Sequence, residues 1–103
     1  MLESTQDYIE SLERMRKIEL LRSAFDRLTN RESQTVSLLV CGLSNKEIAR
    51  QLKITEGAVK VRLKTVSKKL GSGHRTLNRI KIAILAIRYG GFTVNGSLLS
   101  YIK

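Results

Sequence analysis

Apolar residues recur at spacings of three and four along most of this chain, and that rhythm predicts helices rather than strands. Tyr8, Leu12 and Met15, followed by Ile18, Leu21, Phe25 and Leu28, predict one long helix from about Thr5 to Leu28. The step from Met15 to Ile18 breaks a strict heptad, so the pattern does not support a long regular coiled coil. The stripe is too apolar to be left in water. It packs on the body of the protein, on its twin in a dimer, or on a further domain, with the first two ahead of the third.

A start signal follows at once. Thr29 with Glu32 forms a capping box, in which each side chain satisfies a free backbone N–H of the first turn. Val36, Leu39 and Val40 then face inward, and Gly42 stops the helix. Ser44 with Glu47 repeats the box and opens a short helix with Ile48, Ala49 and Leu52 on its inner face. The turn Lys53-Ile54 leads to Thr55, a third N-cap, and to a helix whose Val59, Leu63, Val66 and Leu70 make a clean buried stripe. Gly71-Ser72-Gly73 ends it. A last helix is expected from about Thr76 to Tyr89, stopped by Gly90-Gly91, and the tail from Phe92 has no firm period. The fold class is all-α with about five helices. The chain divides into an N-terminal helix over 1–28 (an oligomerisation or linker element), a helix-turn-helix domain over 29–91 and a tail over 92–103.

Charge changes the picture more than composition does. The chain has 103 residues and a net charge of +10. Residues 1–28 hold five basic and six acidic side chains, whereas residues 29–103 hold 14 basic and three acidic ones. A basic body behind a nearly neutral arm points to a polyanion as partner. Cys41 is the single cysteine, so an internal disulfide is excluded and a reducing, cytoplasmic setting is expected. Its place in Leu38-Leu39-Val40-Cys41 reads as a buried small hydrophobe. No apolar run has the length of a membrane span, and no membrane partner is expected. Pro is absent, which suits helices.

Two helices joined by a tight turn, the first short and the second basic on its outer face, form a helix-turn-helix. Ala49 lets the two axes approach, and Ile48, Leu52, Ile54 and Val59 fill the wedge. Lys53 stands where the turn favours a left-handed glycine, which costs about 1 kcal/mol if that geometry is kept. Stepping about 100° per residue from Val59 puts Gly57, Val61, Lys64, Thr65 and Lys68 on the opposite face, with Lys60 on one flank and Arg62 and Lys69 on the other. Beyond Glu56 that face has no acid, whereas a merely solvated face mixes signs. Lys60, Val61 and Lys64 are the base-edge candidates, since the N-terminal half of such a helix enters the major groove most deeply. Ser44, Asn45, Lys46, Thr55, Lys68 and Lys69 are the candidates for DNA backbone contact. Ser44 and Thr55 can equally be caps and nothing more.

These residues resemble the LuxR-type (FixJ/NarL-type) bacterial transcription regulators. The resemblance rests on Leu28-Thr29-Asn30-Arg31-Glu32, Gly42 to Ala49, Ile54 to Val61, Leu70-Gly71 and Arg75-Thr76. It implies a four-helix LuxR-type helix-turn-helix domain preceded here by one long N-terminal helix. It further implies binding to double-stranded DNA as a homodimer, with the last helix at the dimer contact, and base contacts at Lys60, Val61 and Lys64. Leu12 on the first helix and Ile82, Leu85 and Tyr89 on the last are the dimer-interface candidates; RNA polymerase or a second regulator is a further possible partner. The chain departs from the family pattern at Ala58, where Ser or Thr is frequent, and at Leu77, where Gln or Glu is common. Residues 1–28 are too few for the receiver or ligand-binding domain that relatives carry upstream. The chain is therefore either a free-standing regulator, which Met1 favours, or the output end of a longer protein.

An enzyme is not expected, nor any cofactor or metal. His74 and Cys41 cannot make a catalytic pair, no carboxylates cluster, and Gly71-Ser72-Gly73-His74 lacks the strand context of a phosphate loop. His74 reads as a cap or a phosphate neighbour. The alternative class is a protein-binding adapter that forms mixed dimers with a related regulator and titrates it; the one-sided lysines argue against a purely protein role.

Overall fold

The computed structural model describes residues 4–71 and 77–93. Five helices follow one another with no strand among the described residues: α1 (Thr5–Asp26), α2 (Asn30–Val40), α3 (Asn45–Leu52), α4 (Glu56–Leu70) and α5 (Arg79–Tyr89). Beyond Gly71, the Gly-Ser-Gly helix stop, His74 and Arg75-Thr76 lie outside the described residues, as does the tail from residue 94.

Each helix begins on a side-chain cap. Ser4 Oγ accepts the Asp7 N–H at 3.1 Å. Thr29 and Ser44 form complete capping boxes with Glu32 and Glu47. Thr55 Oγ1 accepts the Ala58 N–H at 3.0 Å. Three turns close with the chain in the left-handed region, one of them at Gly91 (φ 74°), where the Phe92 N–H reaches back to the Ala86 carbonyl. At Gly42 (φ 88°) the Leu43 N–H reaches back to the Leu38 carbonyl, and at Lys53 (φ 58°) the Ile54 N–H reaches the Ala49 carbonyl at 2.9 Å. Lys53 does adopt the left-handed conformation, because those hydrogen bonds and the burial of Ala49 hold a turn that costs a non-glycine residue about 1–2 kcal/mol.

Two boundaries differ from the periodic pattern. α1 stops at Asp26, with Arg27 as its C-cap, so Leu28 is buried as a loop residue. α5 starts at Arg79, three residues later than about Thr76, because Asn78 Oδ1 caps it by accepting the Lys81 N–H at 2.9 Å. An Asn ahead of an apolar run is a stop to helix propagation as much as a start.

One core serves the described chain. Val36, Ile48, Val59, Val66, Ile82 and Ala86 are almost wholly buried, surrounded by Phe25, Leu28, Leu38, Leu39, Cys41, Leu63 and Leu70. α2 packs on α4 and α5, α3 on α4, and the end of α1 on both α4 and α5. Thr35 and Ser67 are buried but satisfied: the Thr35 hydroxyl donates to the Arg31 carbonyl, and Ser67 Oγ accepts the Leu77 N–H at 2.6 Å. That second bond ties the end of α4 to the segment entering α5. The far end of α5 closes over α1 through Phe92 and Phe25, whose ring centres lie 5.8 Å apart. Gly90 is required there, since a Cβ would come within 2.8 Å of the Phe25 ring.

α1 has two different halves. Ala24 and Phe25 are buried and Ile18 and Leu21 half-buried, but Tyr8, Leu12 and Met15 are exposed. The single stripe read along residues 8–28 therefore holds the body only from Ile18 onward. Among the described residues no helix is long and apolar enough to cross a membrane, and no group of His, Cys, Asp or Glu could hold a metal ion.

Candidate nucleic-acid interface

The inner stripe of α4 decides what its outer face can be. Val59, Leu63, Val66 and Leu70 are buried against α2, α3 and α1, so the rotation of α4 is fixed by packing. Lys60, Val61, Lys64 and Lys68 are thereby held in solvent. Val61 is 65% exposed, an apolar side chain standing between lysines on the outer face. The Thr65 hydroxyl donates to the Val61 carbonyl, so its proton is engaged within the helix. Gly57 is also exposed, and a Cβ there would meet nothing closer than Thr55 Oγ1 at 3.8 Å. The fold has no use for a glycine at that point, although glycine costs a helix roughly 0.5–1 kcal/mol relative to Ala.

The residues read as DNA backbone contacts divide by their surroundings. Ser44 and Thr55 are the N-caps of α3 and α4, each hydroxyl accepting one backbone N–H. Lys46 and Lys68 are exposed. Asn45 is half-buried and its Oδ1 accepts Arg79 Nη1 at 2.7 Å. Lys69 leaves the outer face: its ammonium sits 2.6 Å from Glu32 Oε1, the only ion pair among the described residues.

Arg79 carries no signal in the helical periodicity, yet it joins the two ends of the domain. Its guanidinium donates to Asn45 Oδ1 and, from Nη2, to the Leu43 carbonyl at 2.6 Å. α5 is thereby bolted to the N-terminus of α3. A cation at the first position of a helix opposes the helix dipole, and that local mismatch is the sequence signal that could have marked it.

The ionisable groups that depart from their ordinary values are structural. Burial pushes the Glu32 carboxyl up, but the Lys69 ammonium and the Thr29 N–H outweigh it and hold the pKa below the usual carboxylate value. Glu47 is also lowered, chiefly by the Ser44 N–H and hydroxyl. Burial raises the Cys41 thiol, which keeps it protonated and unreactive.

The dimer candidates on α5 are redistributed by packing. Ile82 is 1% exposed and belongs to the protomer's own core, so it has no surface to offer a second chain. Leu85 and Tyr89 lie half-buried against the same core. The outward stripe is instead Ile80, Ile84 and Ile87, between 46% and 68% exposed, beside a shallow groove floored by Leu39, Val40 and Ala83. Periodicity finds two stripes on this helix and cannot say which is inward. Leu12 is exposed on α1.

Residues 26–79 match the family described as bacterial regulatory proteins, luxR family. The chain is also 44% identical over 63 residues to the transcriptional regulatory protein LnrK of Bacillus subtilis (strain 168), a stretch covering 61% of this chain and 27% of that protein. The chain thus spans about a quarter of the length of that relative. No solved structure matches it.

Proposed function

Because the chain belongs to the luxR family of bacterial regulatory proteins, we propose that it regulates transcription by inserting α4 into the major groove of double-stranded DNA, as a dimer on paired half-sites. The observation that carries this reading is the outer face of α4. Packing of its opposite face holds Lys60, Val61, Lys64 and Lys68 outward together, with an exposed glycine at the leading end. Lys60 and Lys64 donate to guanine O6 and N7, and Val61 covers a thymine methyl. Lys46 and Lys68 bind phosphates, while Ser44, Asn45 and Thr55 place the N-termini of α3 and α4 against the backbone. Lys69 joins them only by sharing its ammonium between a phosphate and Glu32. The family's functional class is regulation rather than catalysis, and no enzymatic role is assigned.

The second copy is brought to the adjacent half-site by α5, through Ile80, Ile84 and Ile87. Three isoleucines in one outward stripe make a self-complementary surface of the kind an isologous dimer uses.

Binding-site selection from random DNA tests the whole reading. Enriched half-sites in pairs, at a fixed spacing, are expected. Lys64→Ala should then relax the preference at one base pair by about 1–3 kcal/mol, and Lys46→Ala should weaken cognate and random DNA alike with a shallower salt dependence. No gel shift on any DNA at low salt would overturn the reading and leave the mixed-dimer adapter in its place.

A further inference from the structure

The first half of α1 is a second apolar stripe, besides that of α5, that the fold leaves uncovered among the described residues. Tyr8, Leu12 and Met15 are 55%, 49% and 60% exposed. Stepping about 100° per residue puts these three in a sector about 60° wide, while Ile18, Leu21 and Phe25 fill another, about 120° away. The outer stripe is therefore no frayed continuation of the contact with the body; it looks in its own direction. The charges of the same helix are segregated. Residues 5–13 carry Asp7, Glu10 and Glu13 and no base, whereas residues 14–22 carry Arg14, Arg16, Lys17 and Arg22 against Glu19. None of these groups is ion-paired within the helix, so each half presents its sign outward.

We infer that the stripe is covered by the same stripe of a second copy of this chain, the two α1 helices lying antiparallel with Leu12 facing Leu12. Antiparallel alignment sets each acidic half against the partner's basic half and opposes the two helix dipoles, whereas parallel alignment sets like against like. Tyr8 and Ile9 then lie over Met15 and Arg16 of the partner helix, with the Tyr8 ring suited to the guanidinium. The inference deepens the dimeric part of the reading above by adding a second self-association surface, on a different helix from the α5 stripe, and it requires no DNA.

Sedimentation equilibrium of the full chain carrying Ile84→Glu, which puts a charge on the α5 stripe, isolates the α1 contact. Concentration-dependent dimers are expected, and Leu12→Asp should weaken them at least about tenfold while circular dichroism retains the helical signal of the body. Alignment is read by oxidising single-cysteine variants. Thr5→Cys mixed with Glu19→Cys should give a disulfide-linked dimer, and Thr5→Cys alone should not; Cys41 is buried and stays out of the reaction. A chain that stays monomeric at every concentration overturns the inference, and so does Thr5→Cys linking to itself. Affinity of the Leu12→Asp chain for a single half-site separates the two readings. Unchanged affinity is expected if α1 serves association only, whereas an Ile84→Glu chain that self-associates through α1 yet binds no DNA would break the DNA reading and leave this one standing.

Discussion

The start of α1 and the pair α3–α4 are built by the same local rules and reach opposite ends. Both open on a hydroxyl cap, Ser4 in one and Ser44 and Thr55 in the other, and both carry apolar residues at helical spacing. Ile48 and Val59 are fully buried, while Tyr8, Leu12 and Met15 are not. Capping and periodicity are enough to specify a helix, but an isolated helix of a dozen residues is marginal in water. What fixes the rotation of α4 is the buried stripe beneath it, and α1 has such a support only from Ile18 to Phe25.

That contrast can be broken by substitution. Ile48→Ala should cost about 2–5 kcal/mol in urea unfolding, because it opens a cavity where α3 meets α4. A loss no larger than that of a surface variant would show the two regions to be equally supported. Arg79→Ala removes two hydrogen bonds between α5 and the α3 N-terminus; a loss of about 1–2 kcal/mol is expected for this half-exposed group. The same variant should weaken DNA binding through Asn45, which loses its partner. Gly57→Ala should raise stability by about 0.5–1 kcal/mol and weaken DNA binding by holding the start of α4 off the DNA; a variant that gains stability and keeps full DNA affinity would show that this glycine does not serve close approach.

Acid sharpens the comparison further. Glu32 has a lowered pKa in the folded chain, so its contribution is fully present above the ordinary carboxylate value of 4.5 and is lost as pH falls through the folded value. Denaturation midpoints should therefore fall less steeply with acid in Glu32→Gln than in the native chain. Glu47, lowered as well, keeps a remainder. A native chain whose midpoint ignores pH below 4.5 would contradict the pairing with Lys69. The smallest effect belongs to α1: Leu12→Ala, measured at concentrations where the chain is monomeric, should shift stability by no more than about 0.5 kcal/mol.

Much of this was readable in advance. The three caps at Thr29, Ser44 and Thr55, the left-handed stops at Gly42 and Lys53 and the inner stripe of α4 depend on residues a few places apart, so local spacing exposes them. The outward placement of Lys60, Val61 and Lys64 follows from the same stripe. What local spacing could not expose involves residues about 35 apart: Lys69 drawn to Glu32, and Arg79 forked onto Asn45 and Leu43. α5 is the intermediate case. Its two apolar stripes were visible, but the choice of Ile82 over Ile84 as the inward one belongs to α2 and α1, against which it packs.

By itself, then, the amino-acid sequence determined the presence of the five helices, the caps of α2, α3 and α4, the helix-turn-helix and the sign of its outer face, because each depends on hydrogen bonds and periodicity within one or two turns. Only the tertiary structure decided which half of α1 is left uncovered, which side of α5 is free and which lysines remain unpaired. Those depend on which surfaces meet across the core, and burial is settled between elements rather than within them.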